Sequence, residues 1–230
     1  MTKFNHVGFG KGDTTAPLLE QINGAVRHYK TQSGNHYPSI TTVLGANPEK
    51  KESLDRWRNR IGHDQAQLIT SAAASRGTRI HTLAEQYLTN QEPTVDILEG
   101  NPIYTQMWQS YKPILNLINN IHCLETRMYS DHLRIAGTVD CVAEFTGKLS
   151  IIDFKTANKA KKEEWIPDYF MQCTAYAIMY EELTGIPINN LVVLISVEND
   201  VPQIFFAKRN EWSVKLIESR DFYENNANSS

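Results

Sequence analysis

Cysteine is scarce in this sequence: Cys123, Cys141 and Cys173 are odd in number, far apart and include no C-x-x-C pair. That excludes a disulfide framework and offers no zinc or iron–sulfur spacing, so reduced core thiols and no iron–sulfur cluster are expected. Long apolar runs are missing as well. None approaches the ~20 residues that cross a bilayer, and residues 1–30 lack the apolar stretch of a secretory signal. No membrane partner is expected. Nor is there an excess of positive charge, since 23 Lys and Arg face 26 Asp and Glu for a net −3. A chain coated in basic surface is thereby excluded, and any contact with a polyanion must come from local patches. Two stand out: Arg56, Arg58 and Arg60 around Trp57, and Lys159, Lys161 and Lys162.

What remains is a chain of 230 residues, 41% hydrophobic and 21% charged, able to bury a substantial core as one domain. Residues 1–36 are polar, rich in Gly and Thr and weakly periodic. They read as an amino-terminal arm, partly irregular, with one helix expected near 16–30. Residues 37–222 read as a single domain whose first part, 37–119, is mainly helical. The spacing of Leu54, Trp57 and Ile61 predicts one helix; a longer one is expected at 63–89, interrupted near Arg76-Gly77. A third is expected at 103–119, kinked or broken at Pro113. Then the period changes. Strands are predicted at 121–129, 135–145 and 148–155, a helix at 164–183 closed by Gly185 with Pro187 beyond, strands at 190–198 and 202–208, and a last helix. The tail, 223–230, ending NNANSS, is expected to be disordered. The order describes an α/β core, 120–222, with a helical amino-terminal half.

The stretch KLSIIDFKTAN at 148–158 ends an apolar, β-branched run with Asp153 and Lys155, two residues apart and so on one face of a strand. If Thr146-Gly147 is a hairpin turn, Phe145 pairs with Lys148 and Asp140 falls opposite Asp153. Directly opposed like charges are destabilising. A fold gains from that pairing only if something positive sits between the carboxylates. Lys155 neutralises them in part, and two close carboxylates are the hard oxygen ligands that Mg²⁺ or Mn²⁺ prefers.

The run G-T-V-D at 137–140 followed by I-I-D-F-K-T at 151–156 resembles the core of the PD-(D/E)XK nuclease superfamily, in its RecB-like exonuclease branch, the first half being a G-x-x-D variant. RGTRIHTLAEQYL at 76–88 is similar to that branch's upstream histidine motif, and Gln172 with Tyr176 to the Q-x-x-x-Y after D-x-K. YPSITTVL and LDRWRNRIG near the amino end extend the likeness, which covers roughly 37–183. Taken alone, His81 and Glu85 read as ordinary helix residues beside the buried stripe Ile80, Leu83, Ala84, Tyr87 and Leu88.

The resemblance implies a restriction-endonuclease-like fold, a mixed central sheet flanked by helices, and a metal-dependent DNA exonuclease using Mg²⁺ or Mn²⁺. It implies metal ligands at His81, Asp140, Asp153, the backbone carbonyl of Phe154, and Glu85. Asp140, Asp153, Lys155, Glu85, Gln172 and Tyr176 are the expected catalytic set. Arg56, Trp57, Arg58, Arg60, Arg76, Arg79, Lys159, Lys161 and Lys162 are the expected DNA contacts, and Trp57 among arginines suits stacking on an unpaired base. The expected substrate is DNA, single-stranded or at its ends. The alternatives are a structure-specific or restriction-type endonuclease, or a non-catalytic DNA-binding recombination module. Glu125 and Glu144 lie on neighbouring strands, and nothing beyond proximity recommends them. Asp13 and Glu20 fit poorly with an acid-poor organellar transit segment, so the expected setting is the cytoplasm of a bacterium or a phage-infected cell.

Overall fold

The computed structural model describes residues 4–9, 20–22, 26–92 and 101–227. In chain order these form β1 (Glu20–Ile22), β2 (His28–Lys30), β3 (His36–Pro38), α1 (Ile40–Gly45), α2 (Pro48–Ile61), α3 (His63–Leu88) and α4 (Pro102–Leu115). Then follow β4 (Ile118–Ser130), β5 (Ile135–Phe145), β6 (Lys148–Ala157), a 3₁₀ turn at Glu163–Trp165, α5 (Pro167–Thr184), β7 (Asn190–Val197), β8 (Gln203–Lys208) and α6 (Arg209–Ala227). Strands β4 to β8 lie in sequence order in one mixed sheet, antiparallel except for the parallel pair β6–β7. A parallel neighbour needs a long crossover, and α5 supplies it.

The sheet separates two cores. On one side Ile80, Leu83 and Leu88 of α3 and Met107 and Tyr111 of α4 pack against Cys141, Ile152 and Phe154. On the other, Phe170, Cys173 and Tyr180 of α5 and Leu216 of α6 pack against Val142, Ile151 and Val193. Ile151 and Ile152 go to opposite sides, as alternation in a strand requires, and both are fully buried. This is the mixed sheet flanked by helices that the sequence leads one to expect. Gly185 ends α5 in the left-handed conformation, φ +72°, with its N–H donated to the Glu181 carbonyl. Among the described residues, no helix is long and apolar enough to cross a membrane.

Several elements depart from expectation. Residues 20–22 and 28–30, within the stretch expected to be helical, are strands of a small antiparallel sheet, β1–β2–β3; the neighbouring 10–19 and 23–25 lie outside the described residues. Period-two patterning decides it. Tyr29 pairs with Tyr37, and the two bury their rings with Ala136 of β5, while Lys30 and His36 face out. The described part of the arm thus folds onto the core, and Phe4 does the same against Tyr87, ring centroids 5.1 Å apart.

Helix α3 runs unbroken through Gly77. Glycine there costs about 1 kcal/mol against alanine, and Arg76 offsets it by tying the helix to the sheet: Nη1 donates to Glu198 Oε1 at 2.6 Å and Nε to Thr156 Oγ1 at 3.3 Å. Pro113 does not break α4, because it lies in the last turn and the helix ends two residues later. The carboxyl end is ordered further than expected, with α6 continuing to Ala227; Tyr223 packs on the α5 core and Glu224 pairs with both Arg134 and Arg220. Residues 228–230 lie outside the described residues.

Helix α2 has no buried residue, and α3 buries little before Ile80 beyond Ala66. Helix α2 and the part of α3 before Arg76 therefore form an arm that stands off the sheet. An ion pair from Lys50 of α2 to Asp168, at the start of α5, ties it down.

Candidate active site

The β5–β6 ladder has the register the hairpin argument demands, running from Phe145↔Lys148 to Cys141↔Ile152. It stops one step short of Asp140 and Asp153, and there the strands part. Beyond Ile152, β6 stays paired to β7 as far as Ala157, so it is β5 that turns away. Val139 and Val142, three apart, both pack in the α5-side core, which shows the alternation slipping at Asp140. Phe154 N–H, left without a β5 carbonyl, donates instead to Asp140 Oδ2 at 2.7 Å. The side chain of the first aspartate thus replaces the missing rung and is fixed by it.

Asp153 is 1% exposed. Its Oδ1 accepts from Lys155 Nζ at 2.5 Å, while Oδ2 is buried with no hydrogen-bond partner. Lys155 is held on its other side by the face of Tyr169, with Nζ 5.1 Å from the ring centroid.

From the other face of the sheet α3 brings His81, whose Nε2 lies 2.5 Å from the Phe154 carbonyl oxygen. A carbonyl only accepts, so Nε2 carries the proton, and Nδ1 is turned toward Glu125 Oε1 at 3.8 Å and Asp140 Oδ2 at 4.0 Å.

Glu125 is the residue that sequence reasoning passed over. The β4–β5 register pairs Leu124 with Cys141 and Thr126 with Val139, which leaves Glu125 opposite Asp140 with no ladder pairing of its own. Its φ is +43°, a left-handed conformation that a non-glycine residue rarely adopts inside a strand. The kink aims its carboxylate inward. Ligand atoms of His81, Glu125 and Asp140 lie within 4.8 Å of one another. No sequence pattern marked Glu125; the register of β4 against β5 was needed, and β4 carries an irregularity between Asn119 and Cys123 that hides it.

Three carboxylates therefore accompany one ammonium and one imidazole, an excess of negative charge in a notch that is buried at Asp140 and Asp153 and opens to solvent at Glu125. Burial pushes the Asp153 carboxyl up to about 6 even though Lys155 pulls the other way. Asp140 is raised too, again by burial, against the pull of Lys155 and His81. Burial lowers His81, but the nearby Glu125 and Asp140 carboxylates outweigh it, so the imidazole titrates above its usual value. Lys155 is likewise held above the ordinary lysine range, because Asp153 and Asp140 overcome its desolvation. Two observations fit a divalent cation: His81, Glu125 and Asp140 form a converging donor set of two carboxylates and one imidazole, and Asp153, outside that set, keeps a buried carboxylate oxygen without a partner.

The other expected site residues are placed differently. Glu85, one turn beyond His81, is exposed and outside the group of converging ligands, because that turn carries it past the end of the notch. Gln172 donates to the Tyr176 hydroxyl at 3.3 Å, and the Tyr176 ring lies against Gly137. Lys50, Arg56, Trp57 and Arg60 line an open groove of about 720 Å³ along α2, while Arg58 turns aside to Asp55 at 3.1 Å. Arg76 is 11% exposed at its side chain and engaged with Glu198, so it braces α3. Arg79 lies over the Tyr104 ring, 5.3 Å from its centroid. Lys159, Lys161 and Lys162 occupy the loop that leaves β6.

Comparison with known proteins points to the superfamily that the sequence motifs resemble. Residues 109–203 match the PD-(D/E)XK nuclease superfamily. The chain is 34% identical over 133 residues to Mitochondrial genome maintenance exonuclease 1 of Homo sapiens, covering 55% of this chain and 38% of the relative. It is 29% identical over 182 residues to the Xenopus tropicalis protein of that name, covering 72% of this chain and 50% of the relative. The match thus spans half or less of the length of these relatives. Their name is mitochondrial, a setting different from the cytoplasmic one expected from Asp13 and Glu20. In its matched segment, in the order of its motifs and in its sheet, the chain resembles the PD-(D/E)XK nucleases.

Proposed function

We propose that the protein is a metal-dependent DNA exonuclease that hydrolyses phosphodiester bonds from the ends of linear single-stranded DNA. The observation that carries this reading is the parting of β5 and β6 at two aspartates, with a buried, unpartnered carboxylate oxygen beside a fixed ammonium. His81, Glu125, Asp140, Asp153 and the Phe154 carbonyl are the groups that would hold Mg²⁺ or Mn²⁺. That carbonyl has a second lone pair besides the one His81 uses. Such an ion, when bound, offsets phosphate charge and acidifies a water.

The chain's own residues do the rest. Lys155 stays protonated at neutral pH, so it serves as a donor rather than a base: it orients the attacking water and meets the charge that builds on the phosphate. Asp153 fixes that ammonium by its hydrogen bond and Tyr169 by its ring face. Phe154, through its carbonyl, selects the His81 tautomer whose Nδ1 faces the carboxylates. The arm of α2, with Trp57 among its arginines, supports a grip on one strand, and net charge −3 leaves little long-range attraction for duplex.

The test is an end-labelled assay of linear single-stranded, linear duplex and circular single-stranded DNA with Mg²⁺, Mn²⁺ or chelator. Linear single strands should be degraded, circles should resist, and chelator should stop the reaction. Circles cut as fast as linear strands, with a Lys155→Ala control excluding contaminants, would mark an endonuclease instead.

His81→Ala is expected to weaken Mn²⁺ affinity about 10-fold or more, as loss of a ligand or its orienting partner does. Its melting temperature should change little, since the ring is only partly buried. Calorimetric titration beside thermal unfolding reads both. Unchanged Mn²⁺ affinity with a lowered melting point would assign His81 to structure.

A further inference from the structure

The chain that leaves the catalytic strand makes a short, pinned loop. Gln203 of β8 holds it at Lys161, accepting the backbone N–H at 2.7 Å and donating to the carbonyl at 2.9 Å, so the loop is braced like one rung of a sheet. Beyond that point Ile166 turns inward and is 2% exposed, while Trp165 turns outward and is 58% exposed. A tryptophan is ordinarily among the more buried side chains. Its ring lies beside Lys162, whose Nζ stands 5.2 Å from the centroid. Two acids, Glu163 and Glu164, are also present. Lys162 approaches Glu164 at 3.8 Å, but both are about two thirds exposed, and such pairs are weak.

The place matters as much as the exposure. Tyr169 N–H donates to Ile166 O at 3.1 Å, and the Tyr169 ring carries Lys155, so Trp165, the last residue of the 3₁₀ turn, stands just ahead of the helix that supports the catalytic ammonium. Asp168, in that turn, receives Lys50 from the basic arm. An exposed indole with Lys162 beside it therefore stands four residues ahead of the tyrosine that carries the catalytic ammonium, in the loop that also bears Lys159 and Lys161. The groove on α2 lies at the other end of the Lys50 tether.

We propose that Trp165 is a stacking step for an unpaired base of single-stranded nucleic acid, with Lys162 beside the same nucleotide's phosphate. The inference rests on the nuclease reading above and names a contact which the sequence did not single out. Paired bases offer their faces only at a frayed end, so the step favours single strands, and aromatic stacking of this kind is tolerant of base identity.

The test uses the full chain carrying Lys155→Ala, in chelator, so that binding is read without cleavage. Fluorescence anisotropy of a short dye-labelled oligothymidylate should show Trp165→Ala weakening binding by roughly 5- to 150-fold, with Trp165→Phe restoring most of it. Blunt duplex should lose less, and melting temperatures should stay level because the ring is exposed. In the protein with Lys155 intact, Trp165→Ala should raise KM for single strands more than it lowers kcat. Unchanged affinity in Trp165→Ala, or equal losses in the Ala and Phe variants, overturns the stacking step. Undiminished cleavage by Lys155→Ala overturns the nuclease reading instead, whatever Trp165 does.

Discussion

Asp153→Asn is expected to abolish cleavage and, in chelator, to raise the melting temperature. The two effects share one cause. Asp153 keeps a carboxylate oxygen buried without a partner, faces a second buried carboxylate at Asp140, and is charged at a cost that burial imposes. An unsatisfied buried acceptor costs about 1–3 kcal/mol. The amide keeps the shape, can still accept from Lys155, and carries no charge to oppose that of Asp140. For a chain of this size, that relief amounts to a few degrees, about 2–4 °C per kcal/mol. With Mn²⁺ the order should reverse: the wild-type protein gains stability by mass action, while the variant, short of one hard ligand, gains little. Cleavage should fall at least about 1,000-fold, of the order reached when a group that meets transition-state charge is lost. Thermal unfolding with and without Mn²⁺, together with single-turnover cleavage, reads all three. Turnover within a factor of ten of wild type would remove Asp153 from the chemistry, and a lower melting point in chelator would show that its ion pair with Lys155 outweighs the repulsion.

Much of this site was legible because its residues obey short-range rules. Asp153 and Lys155 share a face by period two, and the arithmetic of a two-residue turn, which the structure contains at Thr146-Gly147, leads to Asp140 one step beyond the last rung, where the strands part instead of pairing it with Asp153. His81 lies beside the buried stripe of Ile80, Leu83 and Leu88, and the likeness of RGTRIHTLAEQYL to the RecB-like histidine motif, not the helical period, marks it. The residues that escaped depend on longer-range geometry. Glu125 enters through a kinked backbone on β4, and nothing in ETRMY reveals a φ of +43°. Tyr169 reaches Lys155 only because the loop after β6 is pinned by Gln203, some 40 residues away in sequence. The small sheet of β1 to β3 was hidden for another reason. Its strands are three residues each, too short for a period to show, though the two His-Tyr pairs at 28–29 and 36–37 mark the buried positions.

Gly137→Ala should cost about 1–3 kcal/mol, the usual range for overpacking a core that cannot yield. Gly137 opens the G-T-V-D run and pairs with Met128 inside the β4–β5 ladder. A Cβ built there would stand 2.8 Å from both Cε1 and Oη of Tyr176 and 3.2 Å from Cγ2 of Ile40. Tyr176 is 2% exposed on α5, and Ile40 is fully buried at the start of α1, whose cap Ser39 bridges to Ala136. Helices on two sides thus enclose the position, and the strand is held by its ladder, so there is no cheap direction in which to relax. The glycine of the first motif and the tyrosine of Q-x-x-x-Y are in this way one packing contact, which seats α5 against the strand that carries Asp140. A double-mutant cycle isolates it. Tyr176→Ala alone should cost about 3–5 kcal/mol as a cavity, but in that background the added Gly137→Ala methyl has room and should cost well under 1 kcal/mol. Chemical denaturation of the four proteins measures the coupling. If Gly137→Ala is equally harmful with and without the Tyr176 ring, the glycine is there for its backbone freedom and not for the space that Tyr176 fills.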